Sequence, residues 1–219
     1  MEDIIQELLT DESIDASIRG SLQDEFSHGM MVSNLAIMLS KELGESEEFC
    51  REMGIAGLLH DIGKLKVNKY LYANNEDTLV IEQMKYARMH TAFSYNILKR
   101  EGFSENIVQS VYHHHENFDG SGYPDNLKGT GIPWGARILR TCDVFSALVS
   151  KRSYRDAFDV ETTVELMIDE INNYDMQVFL AFQRVLHSEL YLGIEDLKKR
   201  VNSSQMIGMK VFQKEVRNT

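Results

Sequence analysis

Residues 113–124 read HHHENFDGSGYP, which sets three imidazoles and an acid beside a loop with two glycines and a proline. The stretch lies mid-chain between segments with helical periodicity, so an expression tag does not account for it. Both prolines and four of the 14 glycines of the chain fall between residues 116 and 133. Glycine and proline interrupt regular structure. A long irregular segment inside a compact domain is often functional.

Outside this segment the apolar pattern is helical, and we expect an all-α fold. The spacing predicts helices at about 22–42, 46–61, 78–100, 104–115, 133–150, 160–172 and 175–191, with a break near residue 88 as the alternative for the third. Ser104 is suited to cap the fourth of these helices. We expect an N-terminal helical lead-in at residues 1–20, one helical domain at 21–191 and a basic C-terminal appendage at 192–219.

Composition limits the class of protein. The chain has 219 residues, 43% of them hydrophobic and 26% charged, as in a soluble globular protein with one core. No apolar run approaches the ~20 residues of a membrane span, and the acidic stretch at residues 1–17 lacks the basic-then-apolar order of a signal peptide. Two cysteines are too few for a disulfide framework, so we expect a cytoplasmic protein. The formal charge of −11 disfavours a nucleic-acid polymer as partner but permits a small anionic ligand beside bound cations.

The histidines fall into two sets by helical face. Five lie on apolar faces: His28, His60, His90, His114 and His115. His28, for example, shares its stripe with Val32 and Leu35. His113 and His187 have polar neighbours at helical spacing, so we expect both to point outward.

Two carboxylates share these inner faces. Asp61 follows His60 in LLHDIGK at 58–64, and Asp143 lies on an otherwise apolar helix. A buried carboxylate is costly unless it is paired or metal-bound, and imidazole with carboxylate suits Fe, Mn, Zn, Co or Ni. Asp61 could bridge two ions about 3.5–4 Å apart, the usual arrangement for phosphoester hydrolysis. The alternative is a metal-free hydrogen-bonded network, although seven such buried groups would be unusual.

Several motifs together resemble the HD-GYP domain, a branch of the HD phosphohydrolase superfamily. They are HDIGK at 60–64, HHENFDGSGYP at 114–124, IPWGARILRTCDVFSALVSKRSYR at 132–155, HGMMV at 28–32 and HTAFSYNIL at 90–98. The resemblance covers roughly residues 20–190, and the GYP loop after the histidine pair is its most specific part. It implies an HD-domain helical bundle with one long glycine-rich GYP loop.

The resemblance also implies a metal-dependent phosphodiesterase that hydrolyses cyclic di-GMP to pGpG or GMP by a metal-activated hydroxide. The metal ligands carried over are His28, His60, Asp61, His90, His114, His115 and Asp143. They would hold two divalent ions, with Fe or Mn expected. Some relatives add a third ion through a glutamate four residues before the first histidine, where this chain has the shorter Asp24.

The resemblance and the residue chemistry together suggest substrate contacts, which are Lys64, Gly120, Gly122, Tyr123, Arg152 and Arg155. Lys64 and Asp61 are the catalytic candidates, because the Lys64 ammonium lies one turn from Asp61 and could meet a phosphate. The two glycines permit a close approach of the loop backbone to a ligand. Asp119 is a candidate acceptor that would orient a ligand histidine.

Three functions stay open at this point. The first is the cyclic di-GMP phosphodiesterase, and the second is an HD phosphohydrolase for another cyclic dinucleotide or nucleotide. The third is a non-catalytic module that senses cyclic di-GMP or holds a diguanylate cyclase (GGDEF-type) partner. The complete ligand set favours an enzyme, since a degenerate member tends to lose a ligand or Lys64.

Overall fold

The structure, a computed structural model, describes residues 16–67, 87–151 and 156–188, with side chains described from residue 25 onward. The described residues form helices and contain no strand, so the predicted all-α class is confirmed. The helices are α1 Ala16–Glu42, α2 Glu47–Leu59, α3 His90–Arg100, α4 Glu105–Tyr112, α5 Trp134–Val149, α6 Val160–Asp169 and α7 Met176–His187. Two 3₁₀ turns lie at Gly129–Gly131 and Ile171–Asn173. The predicted appendage at 192–219 lies outside the described residues.

Short polar side chains fix the starts of four helices. Each accepts a hydrogen bond from a backbone N–H of the first turn, which would otherwise lack a partner. The capping residues are Ser46, Ser104, Asp159 and Asp175. The predicted cap at Ser104 is therefore confirmed, since its hydroxyl accepts from the Ile107 N–H at 3.4 Å.

Helix α5 is the centre of the bundle. It packs against α1, α2, α4, α6 and α7, and α1 also lies along α2. Fully buried side chains from these helices meet in one core, among them Leu35, Met53, Ile138, Phe145 and Phe182. Because α5 touches so many neighbours, a polar residue on its inner face can meet side chains from several helices at once.

A glycine sets the separation of α1 and α2. A Cβ atom added to Gly57 would lie 2.8 Å from both the backbone N and the Cα of Ser33. No side chain fits there, so the two helices approach to backbone contact. This contact fixes the C-terminal end of α2 relative to the middle of α1.

The described residues give two further facts about the class of protein. Cys50 and Cys142 are both buried and free. Within the described ranges, no helix combines the length and apolar content that a membrane span requires.

Candidate metal centre

The seven predicted metal ligands lie in two neighbouring groups. His28 comes from the middle of α1, and His60 and Asp61 follow the end of α2. His90 begins α3, while His114 and His115 come just after α4. Asp143, on the inner face of α5, lies between them. The close approach of α1 to α2 at Gly57 holds His28 beside His60.

The first of two groups contains His28, His60 and Asp143. All three are buried, and their ligating atoms lie within 4.8 Å of one another. The Oδ1 atom of Asp143 is 2.9 Å from His28 Nε2 and 3.6 Å from His60 Nε2. Two imidazole nitrogens therefore face one carboxylate oxygen.

The second group contains Asp61, His90, His114 and His115, again within 4.8 Å of one another. The Oδ1 atom of Asp61 is 3.2 Å from His90 Nε2 and 3.9 Å from His114 Nε2. Its other oxygen, Oδ2, lies 3.1 Å from His60 Nε2 in the first group. The Asp61 carboxylate thus directs one oxygen to each group, which is the geometry of a bridging ligand.

Backbone carbonyls orient three of the histidines. In each, Nδ1 donates to the carbonyl oxygen three residues earlier, so Nε2 is left as the lone-pair nitrogen that faces the centre. The pairs are His60 with Gly57 at 2.8 Å, His90 with Ala87 at 2.6 Å and His114 with Val111 at 2.6 Å. This repeated arrangement selects the tautomer that binds a metal through Nε2.

Burial and neighbouring charges shift the pKa values of these histidines in opposite directions. Burial and the nearby imidazoles of His115 and His60 hold the pKa of His114 well below its usual range. Burial likewise lowers the pKa of His115 to about 3. At His60 burial also disfavours the charge, but the carboxylates of Asp61 and Asp143 outweigh it and raise the pKa to about 10. A positive charge is therefore favoured between these two carboxylates.

The donor set fits a metal. Among the described residues, two buried polar atoms that face the centre have no partner in hydrogen-bonding geometry: His60 Nε2 and Asp61 Oδ1. Buried polar atoms are seldom left without a partner, because desolvation is then uncompensated. Imidazole nitrogen and carboxylate oxygen aimed at a common point suit a divalent transition metal.

Lys64 lies at the edge of the centre. Its Nζ donates to Asp61 Oδ2 at 2.6 Å and to Glu25 Oε2 at 3.3 Å, and its side chain stays 32% exposed. Burial opposes the ammonium charge, but Asp61 and Glu25 outweigh it and raise the pKa of Lys64. Glu25 was missed by the sequence analysis, although it lies three residues before His28 and so shares its face. The side chain of Asp24, the predicted ligand of a third ion, lies outside the described side chains.

The GYP loop packs against His115, one of these ligands. Gly120 has φ +89°, a conformation that side chains disfavour. A Cβ atom on Gly122 would collide with backbone atoms of residues 115–117, so the loop packs tightly on the end of α4. The Tyr123 ring consequently lies 4.8 Å from the His115 ring, between centroids, and the Arg88 guanidinium lies 4.9 Å from the Tyr123 ring centroid.

Two buried side chains hold this loop in place. The Glu116 carboxylate accepts from the backbone N–H of Asp125 at 2.7 Å and of Leu127 at 3.1 Å. His113 Nε2 lies 3.0 Å from the Asp125 carboxylate. The prediction that His113 points outward was wrong, since this residue is only 7% exposed. Its partner comes from the returning loop, which a helical-face pattern does not reveal.

The remaining predicted site residues are Asp119, Arg152 and Arg155. Asp119 does not orient a histidine, because it is exposed and accepts from the N–H and the hydroxyl of Ser121. Arg152 and Arg155 lie outside the described residues. Arg88, which the sequence analysis did not select, is at the rim of the centre on Tyr123.

Comparisons with known proteins agree with this geometry. A family model described as HD domain matches residues 6–178. The chain is 33% identical over 172 residues to the cyclic di-GMP phosphodiesterase PA4108 of Pseudomonas aeruginosa, which covers 77% of this chain and 41% of that protein. It is 32% identical over 177 residues to 3'3'-cGAMP-specific phosphodiesterase 1 of Vibrio cholerae, covering 80% of this chain and 41% of that protein.

A solved structure has the same fold. It is Bd1817, an HDG"Y"P protein from Bdellovibrio bacteriovorus, with a TM-score of 0.61 and 19% sequence identity. The match covers 80% of this chain and 55% of that chain. The chain thus spans about two fifths of the two curated relatives and about half of this structure.

Proposed function

The chain belongs to the HD domain family, and from this premise we propose that it is a metal-dependent phosphodiesterase that hydrolyses cyclic di-GMP to pGpG or GMP. The observation that carries the proposal is the Asp61 carboxylate, which directs one oxygen to each of two ligand groups. Two adjacent divalent ions are a common device for phosphodiester hydrolysis. Relatives named as cyclic di-GMP phosphodiesterases support this choice of substrate.

We propose that the two groups hold two divalent ions, Fe or Mn, with Asp61 between them. His28, His60 and Asp143 would hold one ion, and His90, His114 and His115 the other. When bound, such ions polarise a phosphodiester and lower the pKa of water toward neutrality. The three backbone carbonyls that fix the imidazole tautomers would keep the ligands in place during turnover.

The remaining residues of the site would bind and orient the substrate. The partly buried ammonium of Lys64, held between Asp61 and Glu25, would donate to a non-bridging phosphate oxygen. Gly120 and Gly122 would bring the loop backbone close to the ligand, with the Tyr123 hydroxyl beside it. Contacts of Arg152 and Arg155 with phosphate stay part of the proposal.

Metal analysis joined to turnover tests the proposal. The protein is purified without chelator, its metals are counted by elemental analysis, and the same sample is incubated with cyclic di-GMP. We expect about two ions per chain, as in a binuclear site, and release of pGpG or GMP. Bound metal without hydrolysis, even after reduction and addition of Mn²⁺, would contradict the proposed substrate. No metal under any loading would contradict the metal centre itself.

A second candidate substrate is 3'3'-cGAMP. A relative named for that substrate aligns over 80% of this chain at 32% identity, close to the 33% identity of the cyclic di-GMP relative. A panel of both cyclic dinucleotides, compared by kcat/KM, separates the two. A GGDEF-type diguanylate cyclase partner stays a prediction, and co-purification of such a protein with the full chain tests it.

A further inference from the structure

The ammonium of Lys64 has two counter-ions from different parts of the bundle. Its Nζ donates to Asp61 Oδ2 at 2.6 Å and to Glu25 Oε2 at 3.3 Å. Asp61 lies in the turn that follows α2, whereas Glu25 belongs to α1. Within the described ranges, the one cation paired with Glu25 is Lys64. Of the two carboxylates, Asp61 alone is a predicted metal ligand.

The oxygen of Asp61 that accepts from Lys64 also faces the metal centre. This Oδ2 atom lies 3.1 Å from His60 Nε2, one of the buried ligating atoms without a hydrogen bond in the described part of the chain. An ion bound by His60 would therefore share that oxygen with the ammonium. The two positive charges repel each other, and water screens them little because the Asp61 side chain is only 11% exposed. Binding of the ion consequently weakens the pair of Asp61 with Lys64.

The turn that carries Lys64 is fixed against α3. The Gly63 N–H donates to Ser94 Oγ at 2.9 Å, and the Ser94 hydroxyl donates to the His60 carbonyl oxygen at 2.9 Å. A Cβ atom on Gly63 would collide with the His90 carbonyl oxygen, so the turn and α3 are in backbone contact. The backbone of Lys64 therefore stays in place, and its ammonium can move only by rotation of its own side chain.

Glu25 is placed to receive the ammonium rather than to bind the ion. It belongs to neither ligand group, within each of which the ligating atoms lie within 4.8 Å of one another. Its side chain is 25% exposed, against 11% for Asp61, so its charge lies at the better solvated edge of the centre. An ammonium that leaves Asp61 can strengthen the contact of 3.3 Å that it already makes with Glu25.

We propose that Glu25 is a positioning residue, which draws the Lys64 ammonium away from Asp61 Oδ2 when that oxygen binds a metal ion. Without Glu25 the ammonium would keep Asp61 as its one described counter-ion and would compete with the ion for it. This inference rests on the proposed metal centre and deepens it, since it adds a residue that acts on the centre through Lys64. The ammonium then stays at the edge of the centre, where it can meet a phosphate oxygen.

The affinity for Mn²⁺ tests this role without a substrate. Electron paramagnetic resonance of the chelator-treated full chain, titrated with Mn²⁺, gives the free Mn²⁺ concentration at half occupancy. We expect Glu25→Gln to raise this concentration about 10-fold, the lower end of what the loss of a residue behind a metal ligand costs. In the Lys64→Met background the same substitution should change it less than about 2-fold, because no ammonium is left to compete. Glu25→Asp keeps the charge and should give an intermediate value.

The control is Glu42→Gln, which breaks the exposed pair of Glu42 with Arg184 and should leave the Mn²⁺ affinity unchanged. Circular dichroism and thermal unfolding identify variants that fail to fold, and Glu25→Asp takes the place of Glu25→Gln if the latter does.

Two results would overturn the role of Glu25. One is an unchanged Mn²⁺ affinity in the folded variant. The other is an equal loss of affinity in the wild-type and Lys64→Met backgrounds, since Glu25 would then act on the ion directly. Failure of the proposed function is recognised separately: wild-type protein that binds Mn²⁺ without hydrolysing cyclic di-GMP contradicts the substrate alone. Wild-type protein that binds no Mn²⁺ contradicts the metal centre and the role of Glu25 together.

Discussion

Asp61 is the residue that joins the two ligand groups. Its oxygens lie 3.1 Å from His60 Nε2 and 3.2 Å from His90 Nε2. No other described side chain has such short separations from both groups. An amide in its place would keep the shape and lose the negative charge. A substitution of Asp61 is therefore the most direct test of whether one carboxylate serves both ligand groups.

Asp61→Asn should lose metal and activity together. Because the amide cannot supply two anionic oxygens, we expect fewer than about one ion per chain and a fall in kcat/KM of more than about 100-fold. Elemental analysis and steady-state kinetics measure the two effects. Asp169→Asn is the matched control, since Asp169 is exposed at the end of α6. Full metal content in Asp61→Asn would exclude the bridging role.

The pKa of His60 predicts that the stability of the metal-free protein depends on pH. Its folded-state pKa is raised to about 10, above the usual value of 6.5, by Asp61 and Asp143 acting against burial. A raised pKa gives stability that is complete below pH 6.5 and is lost as the pH rises through 10. Urea unfolding of chelator-treated protein between these limits should show this decline. Bound metal replaces the proton, so the loaded protein should change less, and parallel curves for the two forms would refute the assignment.

Gly122 is the position where the GYP loop can least accept a side chain. Gly122→Ala should place a methyl group against backbone atoms of residues 115–117 and destabilise the fold by about 1–3 kcal/mol. Chemical denaturation measures the free energy of unfolding, and kcat/KM should fall because Tyr123 moves with the loop. Gly131→Ala is the control, because a Cβ there meets nothing within 4 Å. Equal stabilities of the two variants would contradict tight packing at Gly122.

At the scale of single residues, periodicity predicts inward-facing side chains well where a helix supplies the neighbours. His28 and Asp143 are examples, because their own helices carry the apolar stripe. His113 and Glu25 were read wrongly or missed because their partners, Asp125 and Lys64, come from other parts of the chain. A contact made across a loop has no fixed spacing and so leaves no periodic signal.

At the scale of elements, the crossing of α1 and α2 positions His28 against His60. The two helices touch at Gly57, where an added Cβ atom would lie 2.8 Å from the backbone N and Cα of Ser33. The separation of these helices is therefore set by the absence of one side chain. This helix separation places the His28 and His60 rings next to each other, with their centroids 5.2 Å apart.

Gly57→Ala should push the two helices apart. Alanine favours a helix by about 1 kcal/mol over glycine, so a purely local effect would stabilise the protein. We expect destabilisation by about 1–3 kcal/mol instead, because the clash is with backbone that cannot rotate away. Chemical denaturation gives the sign directly, and a stabilised variant would refute the close crossing. Metal content should fall as well, since both ligands of the first group on these helices shift.

Helix existence was predicted more accurately than helix ends. Helix α1 begins at Ala16, earlier than predicted, and α4 ends at Tyr112, so His114 and His115 leave the helix and turn into the centre. Apolar spacing continues past the point where the helix stops, because the loop residues are buried too. The start of the predicted helix at 78–100 lies outside the described residues, and α3 begins at His90.

At the scale of the whole molecule, the fold and the family were predictable because several separate motifs agreed. The family match confirms that the chain is an HD-domain protein, and the structural neighbour confirms the fold. The number and identity of the ions stay predictions, since one donor set of imidazole and carboxylate suits several metals. The same holds for the limits of the domain.

Metal removal should lower the stability of the whole bundle. A ligand that binds only the folded state stabilises it by about 2.7 kcal/mol when present at 100 times its Kd. Thermal unfolding with chelator and with added Mn²⁺ should therefore give different midpoints. Asp61→Asn should show almost no difference between the two conditions. If the wild type also showed none, the buried donors would be satisfied without metal.

The ligands' places along the chain have a consequence for synthesis. His28 and Asp143 are 115 residues apart, and the first group is incomplete until α5 has been made. The second group, by contrast, is complete once His115 has left the ribosome. Synthesis therefore completes the second ligand group before the first, and His28, the first ligand to be made, is the last to meet its partner carboxylate.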